Sequence, residues 1–569
     1  MKRSKLGAAG GIAGLIIAAL PMLLFLVLPL LSLLILSVTD KPFALLDYLL
    51  KLRLGALVTD VAKAFKLEYY TNFFAIPLFR ESLKNTLVLG FWVTLAATFM
   101  GTVLAFGVTR TRMPMRNAIR VLAVVPFIVP AFIGGYAFTL LTGDNGMISG
   151  LLKAMGFAAM KFDLYTPLGI GIIQTFFFFP LVFLSVSAVL ENIDSTLEEA
   201  AATQGAPRWY AVLTTTLPMS WPGIAGGALL VFVDSIADYG TFGLLAPKGF
   251  PLIAVEAYKE LTGYYHWGAS AMLSVVMVLL AVAVLILQKI WVERGNYTSI
   301  HGRRGEMKPL GGKWLGWIML GVSLLFLIPP LLGTFATFVM SFTKIWGTGY
   351  WPQVMTLDNF KRALIDSPGP VKNSLILSLA ATGIATLYAL AIAYIGRRTR
   401  IPGRGLLDGL AMLPFVIPGT AMAVALIVTF NKPPLRLHNT VWILIASYVI
   451  RRLPYGVRPI SAAFQQLDKS MDESAMTLGA SRAFTIWTII APLVFPGLLA
   501  GSMLVFMTAI KEVSTSIMLA PSKWVPLSAY IYRRLLEQEV FSAAAYAVVL
   551  IVLVAGLQWL ANRLSRQTS

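Results

Sequence analysis

The sequence predicts an all-α polytopic membrane protein with about twelve transmembrane helices, arranged as two parallel six-helix halves. Composition, the length of the apolar runs and an internal repeat all indicate this fold class. Of the 569 residues, 57% are hydrophobic and 13% are charged, with a mean hydropathy of +0.77, whereas an ordinary soluble protein is about 25% charged. The composition therefore argues against a soluble enzyme, and its apolar content excludes a disordered chain.

Twelve apolar runs are long enough to cross about 30 Å of hydrocarbon as helices. The first six are predicted at residues 12–37, 85–108, 118–141, 165–190, 221–246 and 269–292. The second six are predicted at residues 314–342, 373–396, 406–430, 439–463, 494–520 and 541–563. The first run is longer than the core of a secretory signal, which has about 7–15 residues. We therefore interpret it as an uncleaved first helix.

The basic residues predict the orientation of these helices. Lys and Arg number 46 against 26 Asp and Glu, a formal charge of +20, and they cluster in alternate connections. Short loops rich in Lys and Arg face the cytoplasm, so the clusters indicate topology rather than nucleic-acid binding. An even number of spans then places both termini in the cytoplasm. The longer loops face outward, at residues 38–84, 142–164, 247–268, 343–372 and 431–438.

The two sets of spans repeat one another. Ser82–Leu87 parallels Pro370–Leu375, and Pro126–Pro130 parallels Pro414–Pro418, both at an offset of 288 residues. Six later residues recur in register at an offset of 274, paired as Glu199/Glu473, Gly205/Gly479, Pro218/Pro492, Pro222/Pro496, Gly223/Gly497 and Gly227/Gly501. Such duplication in a membrane protein indicates a pseudo-two-fold arrangement with a pathway between the halves.

The repeat also sets the domain boundaries. We predict a first half at residues 1–292, a polar cytoplasmic linker at 293–313 and a second half at 314–569. Because each half has an even number of helices, the repeats are parallel rather than inverted.

The cytoplasmic loop after the fourth span carries the same frame in both halves, at about residues 191–218 and 465–492. The frame is an acidic residue, small residues, a glycine and a proline. It predicts a short helix with the acidic residue at its positive N-terminal end, which the glycine ends. A second helix follows and runs to the proline, where the next span begins. The small residues leave a face that another surface can approach closely.

This frame resembles the EAA motif of binding-protein-dependent ABC importer permeases: Glu-Ala-Ala, three residues, Gly, nine residues and Ile-x-Leu-Pro. Ser474 replaces the first alanine of the second copy, and Thr215 and Ala491 also depart from the motif. The resemblance covers essentially the whole chain and implies a fused pair of permease domains with the type I importer fold. It assigns ATPase coupling to Glu199, Ala200, Ala201, Gly205, Glu473, Ala475 and Gly479.

The resemblance also implies partners. In that family each EAA helix docks in a cleft of one copy of a separate ATPase subunit, so two copies are expected, and an extracytoplasmic solute-binding protein delivers the solute. A phosphate-binding loop requires Gly, four residues and Gly-Lys-Ser/Thr, and the nearest segment here, Gly311–Trp314, departs from it. We therefore expect no catalytic residue and no cofactor in this chain, with ATP and Mg²⁺ on the ATPase. Three scattered histidines and no cysteine predict no metal site.

Ionisable residues inside the spans are the remaining candidates, because each costs about 2.5–3.5 kcal/mol on insertion scales. At the offset of 274, Glu512 aligns with Asp238, and two arginines stand where the first half has phenylalanines. One interpretation is interhelical pairing that stabilises the bundle, and an equally weighted one is the lining of a translocation path or gate. The candidates are Asp234, Asp238, Arg451, Arg452, Lys511 and Glu512. Asp234 and Asp238 are expected on one face of a single helix.

Three segments narrow the resemblance within the permease superfamily. Ala237–Thr241, Arg451–Tyr455 and the pair Lys511-Glu512 most resemble the fused permeases of the ferric-iron type. The resemblance implies Fe(III), or a small anionic complex, as the substrate. Related permeases for aminoethylphosphonate, thiamine and sugar phosphates remain alternatives.

Two other functional classes, a secondary transporter and a membrane-embedded enzyme, agree less well with the sequence. A secondary transporter driven by an ion gradient would share the duplication and the orientation but would lack paired EAA loops. A membrane-embedded enzyme would need a catalytic constellation, and none is readable in the sequence. We therefore expect a multi-pass permease of the bacterial cytoplasmic (inner) membrane.

Overall fold

A computed structural model describes residues 14–39, 41–144, 146–157, 163–193, 203–293, 309, 312–346, 350–399, 401–467, 470–477, 479, 481 and 484–567. Within these ranges the chain is almost entirely helical. Nine helices are long and apolar enough to cross a membrane: Gly14–Ser37, Pro77–Arg110, Pro167–Leu190, Val212–Ala237, Trp267–Val292, Lys313–Ser341, Gly369–Arg398, Thr488–Ile510 and Val540–Trp559.

The third and ninth predicted spans are broken, so their prediction as single helices was wrong. Arg116–Ile128 meets the helical segment Ala131–Ala154 at 100°, and Arg404–Phe415 meets Gly419–Phe430 at 111°. Each break precedes the second proline of the repeated Pro-Phe-x-x-Pro segment. Proline has no N–H to donate and forces the residue before it towards an extended conformation. The two bent pairs raise the number of candidate spans among the described residues to eleven.

The tenth predicted span is a helix of 26 residues, Val441–Gln466. At about 1.5 Å per residue it is long enough to cross a membrane, but it carries Arg451, Arg452 and Arg458 and is therefore less apolar than the nine. It packs between Gly369–Arg398 and Ala491–Ile510. This helix, the nine apolar helices and the two bent pairs lie at the twelve predicted places.

The fifth and eleventh spans end earlier than predicted. The helix Leu217–Ala237 stops before the short helix Tyr239–Leu245, and Ala491–Ile510 stops before Ser514–Leu519. Asp238 therefore lies after the end of the helix that carries Asp234, and the prediction of one continuous helix for both was wrong. Each of these spans is preceded by a π-helical segment, Val212–Thr216 and Thr485–Ile490.

The connections between the spans contain further short elements. The helices are Leu45–Leu50, Leu54–Ala64, Glu68–Ala75, Met147–Ala154, Arg208–Ala211, Ile253–Thr262, Asp358–Lys361, Ser470–Thr477 and Leu527–Leu536. The strands Thr343–Ile345 and Val354–Met355 pair antiparallel. Ile253–Thr262 and Leu527–Leu536 occupy equivalent places in the two halves. Neither helix was predicted from the sequence.

The first helix of each half packs against the other half. Leu28–Ser37 contacts Gly419–Phe430 as well as Trp267–Glu293, and its apolar side chains join the core of the second half. In return, Lys313–Ser341 contacts Ala131–Thr142 and Arg116–Ile128 of the first half. The hydroxyl of Tyr388 donates to the carbonyl of Ala18 at 2.5 Å, which fixes the exchanged helix near its start.

Small residues bring the fifth span of each half against the fourth. A Cβ added at Gly227 would lie 2.7 Å from Cα of Val182, and one added at Gly501 would lie 3.0 Å from the carbonyl oxygen of Gly456. The glycines are therefore required by close helix contact. Their recurrence at the same offset means that both halves use the same packing.

We predict that Gly227→Ala destabilises the protein, because the added methyl group must displace the backbone of the neighbouring helix. Overpacking of this kind costs about 1–3 kcal/mol. Thermal unfolding of the purified chain in detergent measures the loss. The adjacent Gly226 is the matched control, since nothing lies within 4 Å of its added Cβ. Gly226→Ala should raise stability by about 0.5–1 kcal/mol through helix propensity. Equal effects of the two substitutions would contradict the packing argument.

Candidate functional site

A cavity of about 150 Å³ lies between the two halves. The first half contributes residues 127 and 129–132 at the break between its bent helices, two phenylalanines and the end of its fifth span. The second half contributes Arg451, Arg452 and Tyr455 together with residues 508 and 511–514. All six ionisable residues singled out in the sequence line this one cavity. Its charges balance, with three basic and three acidic side chains.

The cavity lies on the pseudo-two-fold axis of the molecule. Equivalent positions of the two halves line it together, paired as Phe177/Arg451, Phe178/Arg452, Asp234/Thr508, Ala237/Lys511 and Asp238/Glu512. Two equivalent groups can contact one small space only where the axis relating them passes through it. The charges are distributed unequally, because the second half supplies all three cations and the first half supplies two of the three carboxylates.

Glu512 is bonded to both arginines of the tenth span. Nη1 of Arg451 lies 2.6 Å from Oε1 of Glu512, and Nη2 of Arg452 contacts Oε2. The arginine side chains are 13% exposed and the glutamate 5%. The N–H of Thr515 also donates to Oε1 at 3.1 Å. One carboxylate thus compensates two guanidinium groups and satisfies a backbone donor at the start of the next helix.

Lys511 connects the halves. Its Nζ donates to the carbonyl oxygen of Phe127 at 2.7 Å and lies 3.2 Å from the centre of the Phe127 ring. A cation over an aromatic face is attracted by the ring quadrupole, most strongly when water is excluded. Ser514 adds a weaker link, as its hydroxyl donates to the carbonyl of Ala237 at 3.4 Å. The carbonyl of Phe127 lies in the last turn before the helix break, where helical carbonyls lack an intrahelical donor.

The two aspartates differ in their bonding. Asp238 accepts from Nε2 of Gln174 and from the N–H of Thr241, both at 3.0 Å, and so caps the helix Tyr239–Leu245. Asp234 is exposed to the cavity. Among the described residues it has no hydrogen bond or ion pair. Asp234 is therefore the free carboxylate of the lining, while the charges around it are bonded to protein groups.

These contacts agree with both interpretations of the membrane charges, interhelical pairing and the lining of a path. Five of the six residues are paired, as the packing interpretation requires, and all six line a cavity on the axis, as the path interpretation requires. Their part in transport stays a prediction. Sequence reasoning missed Phe127, Gln174 and Tyr455 as members of this site. The repeated prolines were the signal that could have located the break beside Phe127.

The two loops to which the resemblance assigns ATPase coupling, at about residues 191–218 and 465–492, are called the coupling loops and are partly described. Gly205 and Gly479 have φ of +84° and +85°, are exposed, and have nothing within 4 Å of an added Cβ. This left-handed conformation is the one that a glycine ending a helix adopts. Ala475 is buried at 7% exposure in the helix Ser470–Thr477. Glu199, Ala200 and Ala201 and the side chain of Glu473 lie outside the described residues.

The described residues contain no group of three or more acidic or histidine side chains that could hold a metal ion. The three carboxylates of the cavity are not such a group, and two of them are bonded to protein donors.

The family described as "Binding-protein-dependent transport system inner membrane component" matches residues 94–294 and 381–569. The chain is 32% identical over 488 residues to the ferric transport system permease protein FbpB of Actinobacillus pleuropneumoniae, covering 84% of this chain and 70% of that protein. It is also 32% identical over 450 residues to a putative ferric transport system permease protein FbpB 1 of Haemophilus influenzae, covering 77% and 70%. The sulfate transport system permease protein CysT of Escherichia coli is 30% identical over 265 residues, covering 45% of this chain and 89% of that protein.

We predict that Glu512→Gln destabilises the fold, because it leaves two buried guanidinium groups without a counter-charge. Breaking a buried ion pair by removing one partner costs about 3–5 kcal/mol. Thermal unfolding in detergent measures the change. Glu537→Gln is the control, since Glu537 is 59% exposed in its ion pair with Arg534 and such pairs contribute about 0–1 kcal/mol. A loss no larger than that of the control would show that the cavity cluster does not stabilise the protein.

Proposed function

The chain belongs to the family of binding-protein-dependent transport system inner membrane components, and we propose that it is the permease of an ATP-driven importer of ferric iron. The observation that carries the iron assignment is its likeness to ferric transport permeases through both halves, at 32% identity over 84% of the chain. A likeness of this extent includes the fifth and tenth spans, which supply Asp234, Arg451 and Arg452 to the cavity lining.

The cavity suggests how the permease would work. It lies on the axis between the halves, so a rotation of one half against the other would open it to one side of the membrane. That rotation must break the bond from Lys511 to Phe127, which joins the halves across the cavity. The closed cavity would therefore be stabilised by this contact and opened by energy supplied from outside the chain.

Asp234 would be the group that meets the cargo. Ferric ion prefers hard oxygen ligands, and Asp234 offers the one carboxylate of the lining without a partner among the described residues. The neighbouring cations would repel a bare trivalent ion, so a ferric ion would pass in company with anions or with its charge reduced by ligands. A single free carboxylate would contact the cargo only transiently, which suits a translocation path better than a tight binding site.

Two copies of an ABC ATPase subunit would supply the energy. Each would dock on one coupling loop, with ATP and Mg²⁺ bound by the ATPase and not by this chain. An extracytoplasmic solute-binding protein would deliver iron at the opposite face, where the outward loops carry helices such as Ile253–Thr262 and Leu527–Leu536. The chain would lie in the bacterial cytoplasmic membrane with both termini in the cytoplasm.

Import of a small oxyanion is the second candidate. Two observations favour it: the pair of arginines in the cavity lining and the likeness of 45% of the chain to a sulfate transport permease. Permeases for aminoethylphosphonate and sugar phosphates belong to the same chemical class of cargo. For thiamine, a cation, the support from the lining would be the free carboxylate of Asp234.

We predict ATP-dependent uptake of radiolabelled Fe(III) in proteoliposomes that contain this chain, its ATPase and its binding protein. Gly205→Val and Gly479→Val together should reduce uptake by about tenfold or more, because a β-branched residue at positive φ is strained by about 1–3 kcal/mol at each site. Gly55→Val is the control, since Gly55 also has open space around it but lies in an outward loop.

The outcomes separate the candidates. Absence of iron uptake, with ATPase activity stimulated by binding protein loaded with sulfate or a phosphonate, would replace iron by an oxyanion. Absence of ATPase stimulation by any loaded binding protein, together with uptake driven by an ion gradient, would reject the importer in favour of a secondary transporter.

We further predict that Asp234→Asn reduces iron uptake by about tenfold or more, equivalent to about 1.4 kcal/mol in the rate-limiting step. Because Asp234 has no bonded partner among the described residues, the melting temperature should stay unchanged. Asp238→Asn is the contrasting variant, since it weakens bonds to Gln174 and Thr241 and should lower the melting temperature. Normal uptake by Asp234→Asn would place this residue outside the path.

A further inference from the structure

Two arginines hold equivalent positions beside the coupling loops. Arg110 is the last residue of the helix Pro77–Arg110, and Arg398 is the last residue of Gly369–Arg398, at the offset of 288. Nη2 of Arg110 lies 3.5 Å from the carbonyl oxygen of Ile193, and Nη2 of Arg398 lies 3.4 Å from that of Leu467. Ile193 and Leu467 are themselves equivalent, at the offset of 274. The same bond therefore occurs once in each half.

The two carbonyls mark the points where the chain enters the coupling loops. Ile193 follows the helix Pro167–Leu190 by three residues, and Leu467 follows Val441–Gln466 directly. Each arginine thus ties the second span of its half to the exit of the fourth. These are the places where a displacement of the loop would first reach the membrane helices.

The role of basic residues in orienting the spans does not explain why Arg110 is buried. A basic residue that only orients a span lies in water, as Arg112 does two positions later, whereas Arg110 is 1% exposed. Burying a charge requires compensation. Two helix C-termini meet at this point, and each brings carbonyls without an intrahelical donor and a partial negative charge of about half an electron. The carbonyl oxygen of Ile193, just beyond the end of the fourth span, is one group that the Arg110 guanidinium contacts there.

We propose that Arg110 and Arg398 are positioning residues for the two coupling loops. Each fixes the start of its loop to the end of the second span, so that a push on the loop moves two spans of that half as one body. This positioning role concerns contacts within the chain and does not depend on any partner protein. Its consequence for transport rests on the proposed function.

The first test uses the full-length chain without any partner. The sequence contains no cysteine, so a single spin label can be placed at Gln204→Cys, in the described and exposed part of the first loop. In lipid nanodiscs, Arg110→Gln should increase the mobility of this label. Arg398→Gln, the same change in the other half, should leave it unchanged, and so should Arg112→Gln. Arg110→Lys keeps the positive charge and loses the branched guanidinium donor. It therefore tests whether the charge alone is sufficient to restrain the loop.

The result that overturns the proposal is an unchanged label in Arg110→Gln. Equal loosening by Arg398→Gln would also overturn it, because that pattern indicates a general loss of packing. A melting temperature measured on the same samples identifies variants that are simply unfolded. If Arg110→Gln is unfolded, Arg110→Lys takes its place in the comparison. It must then increase the mobility of the spin label at position 204.

The second test uses the complete complex with its ATPase and binding protein. Uptake per ATP hydrolysed should fall about fivefold or more in Arg110→Gln, the lower end of coupling factors between distant sites, while the ATPase still co-purifies. Unchanged uptake per ATP overturns the role in coupling. Loss of the ATPase from the unsubstituted chain would instead refute the proposed function, and the label data would still decide whether the arginines position the loops.

Discussion

The molecule depends on capping helix ends that lie inside the helical bundle. In the interior of a membrane protein an unsatisfied backbone group costs several kcal/mol, yet the helices Tyr239–Leu245 and Ser514–Leu519 begin, with free N–H groups, beside the same cavity. Asp238 and Glu512 solve this problem at equivalent positions by accepting from the N–H groups of Thr241 and Thr515. Once a carboxylate is required there, its charge needs compensation, and the rest of the cavity follows from how each half supplies it.

The two halves supply that compensation differently. The first half surrounds Asp238 with neutral donors, chiefly Gln174, whereas the second half gives Glu512 two arginines and places Lys511 at the position of Ala237. The resulting charges differ between two halves that share one packing scheme. A permease made of two identical chains would have the same side chain at both equivalent positions. Fusion into one chain lets a single cavity have one cationic wall and one acidic wall.

Local signals in the sequence were sufficient to predict where the spans lie, but they were insufficient to predict where two of the spans break. Apolar run length located the twelve places because hydrophobicity along a helix is local information. The same run length concealed the bends, since Val129 and Ile417 are apolar and continue the run through each break. The six charges were found by their rarity inside spans, but their meeting on one axis depends on how both halves pack. Arg110 was not among the candidate residues, because a cluster of basic residues does not reveal which member is buried.

The exchange of first helices has a consequence for biosynthesis. The helix that ends at Ser37 packs against Gly419–Phe430, which is made roughly 380 residues later, or about 20–80 s at ordinary rates of translation. The other contact of this helix, Trp267–Glu293, is made earlier, but the face that packs against Gly419–Phe430 has no partner during that interval. Lipid or an insertion factor must cover this face until the second half arrives. The first of the twelve spans is thus among the last to complete its packing, and a chain interrupted midway exposes the surface on which quality control could act.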